Sequence, residues 1–458
     1  MTIEMVLSGG LLWHVEHGDS LVVLKSMPDA CVDAIVTDPP AGTAFMGKGW
    51  DEFGRVNDRA IDPTKNNKGL LPSYGRGGTP EDRRKANRRA RDAFIPWLTE
   101  VLEECYRVTK PGGRMLCWSI PRTMHWTGCA IEDAGWSIEN TIAHLFGSGF
   151  PKAKTQLKPA REDWWLARKP AQNVLPLNID ECRVATSDNL NGGAYAAHGG
   201  RDILPGDKRK GALFGMLAPG QTTGREFVQP SGRWPANLVL SHAAGCVCVG
   251  TRRVATGTAT AKSPGTGYIY GHREGGSFPG GYADEDGNEG VPDWRCVEGC
   301  PVAELDRHSG GASRFFNTFG VDRDDIDTAM FVYQAKASRA DREAGCDGLP
   351  ERLSEGTMDG GVITSEGRNA PKTGRVLVRN GHPTVKSTPL MRHLVKLIAK
   401  PGDVVLDAFC GSGSTGCGAV LEGCRFIGIE REDTEADPYV TIARRRIAAK
   451  TPLQRTLF

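Results

Sequence analysis

Val404-Val-Leu-Asp-Ala-Phe-Cys-Gly-Ser-Gly-Ser-Thr415, running on to Phe426-Ile-Gly-Ile-Glu430, decides the fold. Val404 to Leu406 reads as a short buried strand with Asp407 at its carboxyl end. The turn Gly411-Ser-Gly413-Ser-Thr415 opens a helix of small residues through Leu421. Phe426 to Ile429 is a second strand, closed by Glu430. Together they make a βαβ unit with a glycine turn at the edge where open α/β sheets bind nucleotide-like ligands. Glycine lets the backbone approach such a ligand, and an acid ending the next strand can hydrogen-bond ribose hydroxyls. The plainer alternative is a glycine-rich turn with no ligand.

Two details separate this turn from a dinucleotide fingerprint. It reads Asp-x-Phe-x-Gly-x-Gly-x-Thr rather than G-x-G-x-x-G, and it lies in the last fifth of the chain. Asp407-Ala-Phe-Cys-Gly-Ser-Gly-Ser-Thr415 resembles the S-adenosylmethionine loop of DNA amino-methyltransferases. The resemblance implies a cofactor pocket of Asp407, Phe409, Gly411, Gly413, Thr415 and Glu430. His382-Pro-Thr384-Val-Lys386, ahead of a helix through Leu397, is similar to that family's lead-in. It implies that Thr384 and Lys386 face the methionine part of the cofactor.

A second motif stands near the other end. Trp13 to His17 reads as a strand, Gly18-Asp19 as a turn, and Leu21 to Met27 as a short helix. Val32 to Thr37 is another strand, ending in Asp38-Pro39-Pro40-Ala41. Two prolines remove two amide donors and hold the backbone extended, so the carboxylate sits beside a rigid turn. In isolation this is a solvated Asp in a Pro-Pro turn. Together with Gly18-Asp19 it resembles the catalytic start of the same family, whose Asp-Pro-Pro-aromatic motif holds the amino group of a flipped adenine or cytosine. The resemblance makes Asp38, Pro39 and Pro40 catalytic and adds Asp19 to the cofactor site. Ala41 stands where the family has an aromatic residue that stacks on the base. Phe45 and Trp50 are candidates for that face, with packing under a loop as the other reading.

Composition sets limits. The 458 residues suggest two or three domains, and a formal net charge of +2 confines any nucleic-acid surface to a local basic patch. No apolar run of membrane-spanning length and no signal pattern occur, which predicts a cytoplasmic protein without membrane contact. Thirteen cysteines, an odd number with several in expected core elements, predict reduced thiols.

Between the motifs the order is regular at first. Residues 54–92 are polar, with a basic run at Arg83-Arg-Lys85 and Arg88-Arg89, and read as a loop that meets phosphates. Ala93 to Arg107 has helical spacing, Lys110-Pro-Gly-Gly113 stops it, and Arg114 to Ile120 is a strand. A helix follows from His125, and Ser137 to Leu145 is a strand. From Gly147 to about residue 330 the chain is glycine-rich and irregular, with Trp164-Trp165 and Lys208-Arg-Lys210 as aromatic and basic groups. Ala329 to Tyr333 reads as a strand, residues 341–375 as a loop, and Pro438 to Lys450 as the closing helix.

Inside the irregular stretch, His242-x3-Cys246 is followed far downstream by Cys296-x3-Cys300. One imidazole and three thiolates in two short clusters complete a tetrahedral zinc site, and Cys248 could replace one of them. A loop-rich insertion with little apolar periodicity gains a core from a metal. The other reading is free thiols.

The motif order resembles the β group of DNA amino-methyltransferases over residues 11–152 and 329–450. It implies an α/β fold: a doubly wound, mainly parallel Rossmann-like sheet carrying an inserted target-recognition lobe. The expected division is 1–152 for the catalytic half, 153–328 for the inserted region with the zinc site, and 329–458 for the cofactor half. The activity implied is methyl transfer from S-adenosylmethionine to an exocyclic amine of double-stranded DNA. The layout is compatible with a homodimer and with a separate restriction endonuclease partner. The rival is a DNA-binding relative that kept the cofactor fold without catalysis, motivated by Ala41. Methylation of RNA or of a small amine is a third reading.

Overall fold

The protein is known from a computed structural model that describes residues 2–43, 51, 53, 80–146, 160–185, 231–243, 245–255, 288–298, 300–309, 311–319, 339–353, 377–435 and 437–451. The chain begins with α1 (Thr2–Leu7), β1 (Trp13–His17), α2 (Ser20–Ser26) and β2 (Val32–Thr37). It continues through α3 (Pro80–Val108), β3 (Thr109–Ser119), α4 (Met124–Asp133), β4 (Ser137–Leu145) and β5 (Arg161–Arg168). The middle holds β6 (Val184–Ala185), β7 (Gly232–Arg233), β8 (Leu238–Ser241), β9 (Val247–Ala255), β10 (Asn288–Arg295), α5 (Pro301–Ser309) and β11 (Asn317–Phe319). Then come α6 (Arg339–Glu343), β12 (Arg352–Leu353), β13 (Leu377–Val378), α7 (Thr388–Ile398), β14 (Val404–Asp407), α8 (Ser414–Leu421), β15 (Arg425–Glu430) and α9 (Tyr439–Lys450).

The central sheet runs β1-β15-β14-β2-β3-β5-β4-β8-β11. All neighbours are parallel except those of β5, which is antiparallel to β3 and β4. The strands read as near-continuous apolar runs because both faces are covered. In β2, Ala34 and Val36 pack on one face with α7, α8 and α9, while Ile35 packs on the other with α3 and α4. Val405 and Phe426 join the first face; Leu406 and Ile427 join the second. The sheet is therefore doubly wound, as the resemblance implied.

The chain crosses from β14 to β15 in one direction and from β2 to β3 in the other. The crevice between β14 and β2 is thus the topological switch point, where α/β sheets take ligands. The strands expected from residues 13–17, 32–37, 404–406 and 426–429 all lie around it.

Two expectations are corrected. Residues 80–92 are helix rather than loop, so the basic run lies on the first turns of α3. Pro80 starts the helix and a glycine-free stretch of Arg, Ala, Glu and Lys sustains it. Trp164 and Trp165 belong to β5, a central strand, not to an irregular lobe, and Trp164 is fully buried. The strand expected at Ala329–Tyr333 lies outside the described residues. Among the described residues no helix is long and apolar enough to cross a membrane.

Candidate active site and metal cluster

The two sequence motifs meet at one edge. Thr37 ends β2 and donates its hydroxyl to Asp407 Oδ1 at 2.8 Å, across 370 residues of chain. Asp407 ends β14, is 2% exposed, and also accepts from Phe409 N (3.0 Å, Oδ1) and Thr415 Oγ1 (2.6 Å, Oδ2). Burial pushes its carboxyl up to about 6, against the pull of those donors. Its hydrogen bonds are spent on shaping the turn, so it frames the site rather than reaching into it.

Glu430, at the end of β15, accepts from Gly411 N (2.7 Å) and Glu432 N (2.8 Å), and burial raises its pKa. The Gly18-Asp19 turn reaches the same edge: Gly18 N donates to the Glu430 carbonyl, and Ser20 Oγ to the Ala408 carbonyl at 2.5 Å. The Asp19 carboxylate caps α2 by accepting from Leu21 N and Val22 N, so its side chain has a local task.

The glycines matter through specific neighbours. Gly411 has φ +51°, and a Cβ there would lie 2.7 Å from His382 Nε2. Gly413 has φ +78°, and its Cβ would press on the Ala443 backbone of α9 at 3.0 Å. A side chain at 413 would therefore lever α9 away. Phe409 packs against Trp97 with the rings tilted at 47° and their centroids 5.6 Å apart.

Sequence reasoning passed over the support beneath this turn. Arg446 of α9 is fully buried and donates to the Ser412 carbonyl (2.7 Å), Ser414 Oγ (3.1 Å) and the Asp341 carbonyl (3.1 Å). Asp341 in turn accepts from Thr388 N and Oγ1 at the start of α7. The signal was present in Arg444-Arg-Arg446, where only burial distinguishes the third arginine from a solvated charge.

Beside the crevice, Asp38 is held differently. Lys386 Nζ meets Asp38 Oδ2 at 2.5 Å and lies 4.0 Å from the centre of the Trp118 ring. The lysine side chain is 4% exposed and the aspartate 18%. Trp118 sits near the end of β3, and its indole donates to Glu162 Oε2 at 2.8 Å. Lys386 was expected at the cofactor's methionine end, and the structure pairs it with Asp38. Thr384 precedes it, its amide donating to His382 Nδ1. Pro39 is buried and Pro40 partly so, while the Ala41 carbonyl accepts from Thr123 Oγ1 at 2.8 Å. Phe45 and Trp50, the aromatic candidates from sequence, lie outside the described residues. Trp118 supplies an aromatic ring close to Asp38 that the motif pattern did not reveal.

The four residues singled out as metal ligands converge. Donor atoms of His242, Cys246, Cys296 and Cys300 all lie within 4.8 Å of one another. His242 Nδ1 is 3.4 Å from Cys296 Sγ and 3.6 Å from Cys300 Sγ, and the imidazole stacks on Trp294 at 4.0 Å. Cys248 is exposed on β9 and stays out of the group.

With this geometry in view, comparison with known proteins is informative. The profile described as DNA methylase, of the N6/N4 methyltransferases, matches residues 32–205 and 352–442, more than half of the chain. The chain belongs to the DNA methylase family. Its motif order, Asp-Pro-Pro first and glycine turn last, is that of the β-group amino-methyltransferases. Over 69 residues it is 44% identical to Type II methyltransferase M2.DpnII of Streptococcus pneumoniae, a match covering 15% of this chain and 24% of that protein. Over 49 residues it is 47% identical to DNA adenine methyltransferase YhdJ of Escherichia coli K12, covering 11% of this chain and 17% of that protein. The chain thus spans about a quarter or less of these relatives' length. The solved PvuII DNA methyltransferase (cytosine-N4-specific) aligns over 98% of this chain and 89% of its own at 12% identity, with a TM-score of 0.41.

Proposed function

We propose that this protein transfers a methyl group from S-adenosylmethionine to the exocyclic amine of an adenine or cytosine in double-stranded DNA. The observation that carries this reading is the Thr37–Asp407 hydrogen bond. It locks the strand leading to Asp-Pro-Pro against the strand leading to the glycine turn, at the switch point of the sheet. An acceptor for an amine and a nucleotide-binding turn are thereby neighbours.

The glycine turn, Glu430 and the Thr384–Lys386 segment fit an adenosine-bearing cofactor by the chemistry they offer. Gly411 and Gly413 have backbone conformations that side chains rarely adopt, and Glu430 keeps lone pairs beyond its two amide partners for hydroxyl donors. Bound there, S-adenosylmethionine supplies an electrophilic sulfonium methyl group. The rest falls to the chain. A base amine inside a duplex is stacked out of reach, so the base must be flipped out. Its lone pair is delocalised into the ring and nucleophilically weak. Asp38 and the Pro39 carbonyl accept the amine's hydrogens and draw the lone pair out of the ring, toward the methyl group. Positioning and fixed charge carry the catalysis, without a covalent enzyme intermediate.

Lys386 gives this site a resting state. Its ammonium occupies the acceptor that the incoming amine needs, so substrate entry displaces it from Asp38. The Trp118 ring, next to that ammonium, is then placed to offer the stacking face that Ala41 lacks. The Cys/His cluster takes no part in this chemistry, and we read it as a structural zinc site.

Transfer of labelled methyl groups to unmethylated genomic DNA tests the reading. Asp38→Ala should abolish incorporation while calorimetry shows cofactor affinity close to wild type. A wild-type protein that binds a nicotinamide dinucleotide and ignores S-adenosylmethionine would sink the proposal. So would one that binds both DNA and S-adenosylmethionine yet methylates DNA from no source.

A further inference from the structure

We infer that His242, Cys246, Cys296 and Cys300 bind one zinc ion that roots the β9–β10 ribbon on the edge of the sheet where Asp38 stands. A tetrahedral zinc ion with bonds of about 2.3 Å to sulfur and about 2.0 Å to nitrogen sets its S and N ligands about 3.5 Å apart. His242 Nδ1 is 3.4 and 3.6 Å from two of the sulfurs. Without a cation three thiols crowd one imidazole nitrogen, which accepts well from only one of them. One divalent ion satisfies all four donors together.

The ligands arrive on two matching turns. In His242-Ala-Ala-Gly-Cys246 the Cys246 amide donates back to the Ala243 carbonyl at 3.2 Å. In Cys296-Val-Glu-Gly-Cys300 the Cys300 amide donates back to Val297 in the same way, also at 3.2 Å. The first turn joins β8 to β9, and the second joins β10 to α5. A metal here ties a sheet strand, both feet of the ribbon and the start of a helix. The fully buried apolar cluster at this place is only Leu240, Cys246, Cys300 and Val302, two of them ligands, and the side chains packed around it, Trp294 and Phe316 among them, are partly exposed. Such a lobe depends on its ion for a core.

The position gives the site a purpose. Leu240, two residues before His242, pairs with Leu145 at the carboxyl end of β4, and Leu145 pairs with Arg161 where β5 begins. Ser119 at the end of β3 pairs with Asp163 near that same end of β5. His242 therefore leaves the same edge as Asp38, four strands along, roughly 19 Å away at about 4.8 Å per strand. Buried His144 and Ser241 share a hydrogen bond of 2.8 Å that fixes the strand from which the ligand departs. A two-stranded antiparallel ribbon fits the DNA major groove, and this one is rooted on the same sheet edge as the acceptor for the target amine, four strands along. The ribbon's contact with duplex DNA rests on the function proposed above; the metal does not.

Elemental analysis of the purified full chain should find about one zinc per molecule. Cobalt replacing it should show the visible absorption and thiolate charge transfer of a tetrahedral sulfur site. Cys296→Ser should lose the ion, and Cys248→Ser should keep it. The Cys296→Ser protein should bind S-adenosylmethionine as wild type does and lose affinity for duplex DNA. A metal-free wild type of full stability, or equal zinc loss in Cys248→Ser, overturns the site. Zinc loss with undiminished DNA binding overturns the anchoring role. A zinc-bearing protein that methylates no DNA leaves the metal intact and defeats the function instead.

Discussion

Asp407 and Asp38 end neighbouring strands of one sheet, and their surroundings diverge. Asp407 is closed in, with three donors from Thr37, Phe409 and Thr415 and almost no contact with solvent. Asp38 is partly open and, among the described residues, has one strong partner, Lys386, on a side chain that can withdraw. A carboxylate tied by three donors of its own fold serves that fold; one held by a cation on a long side chain is free to exchange its partner. The sequence assigned Asp38 to catalysis and Asp407 to the cofactor, and their hydrogen-bond partners differ in the same degree.

The largest test is Asp407→Ala. It strands two hydroxyls and an amide, each worth roughly 1–3 kcal/mol when buried without a partner. The expected loss is roughly 3–5 kcal/mol of unfolding free energy in denaturant, with cofactor binding falling alongside. Asp38→Ala should lower the unfolding midpoint less, because the one group it strands, the Lys386 ammonium, sits on a long side chain that can turn toward solvent. Equal destabilisation by the two changes would erase the distinction.

A smaller effect separates charge from shape. With its folded pKa at about 6 and an unfolded value near 3.9, Asp407 binds its proton more tightly when folded. Its ionisation therefore costs stability as pH rises from about 4 to about 6, on the order of 2–3 kcal/mol, and the cost stays constant above that. Asp407→Asn keeps the shape without the charge. Unfolding curves across this range should show the variant gaining on wild type up to about pH 6 and then running level. A flat difference would mean that the carboxyl is not held protonated by burial.

The smallest effect sharpens the open side of the comparison. If the Trp118 ring stacks on the target base, Trp118→Leu should lower the methylation rate by an amount equivalent to about 1–3 kcal/mol, and Trp118→Phe should restore most of it. Equal rates for Leu and Phe would show that a ring is not needed there.

The switch-point half of this molecule was legible because its strands are buried on both faces. Val404–Leu406 and Phe426–Ile429 are unbroken apolar runs that only a covered parallel strand explains. The convergence of His242, Cys246, Cys296 and Cys300 was legible because a His and three Cys in two short, matching spacings are the donor set of a tetrahedral site. Arg161–Arg168 was missed because its charged and aromatic residues hide a central strand: Asp163, at 0% exposure, has Arg161 on its carboxylate. Lys386 on Asp38 was missed because two residues 348 apart carry no local sign of pairing.

The bond joining Thr37 to Asp407 also has a history in time. A ribosome adds roughly 5–20 residues per second, so β14 follows β2 by roughly 20–70 s. Through that interval β2, a central strand in the finished sheet, has an unpaired edge on the side that β14 will take. Such an edge invites pairing with another nascent chain. The order of motifs therefore exposes the growing polypeptide to aggregation, and slower translation or higher expression should increase its demand for chaperones.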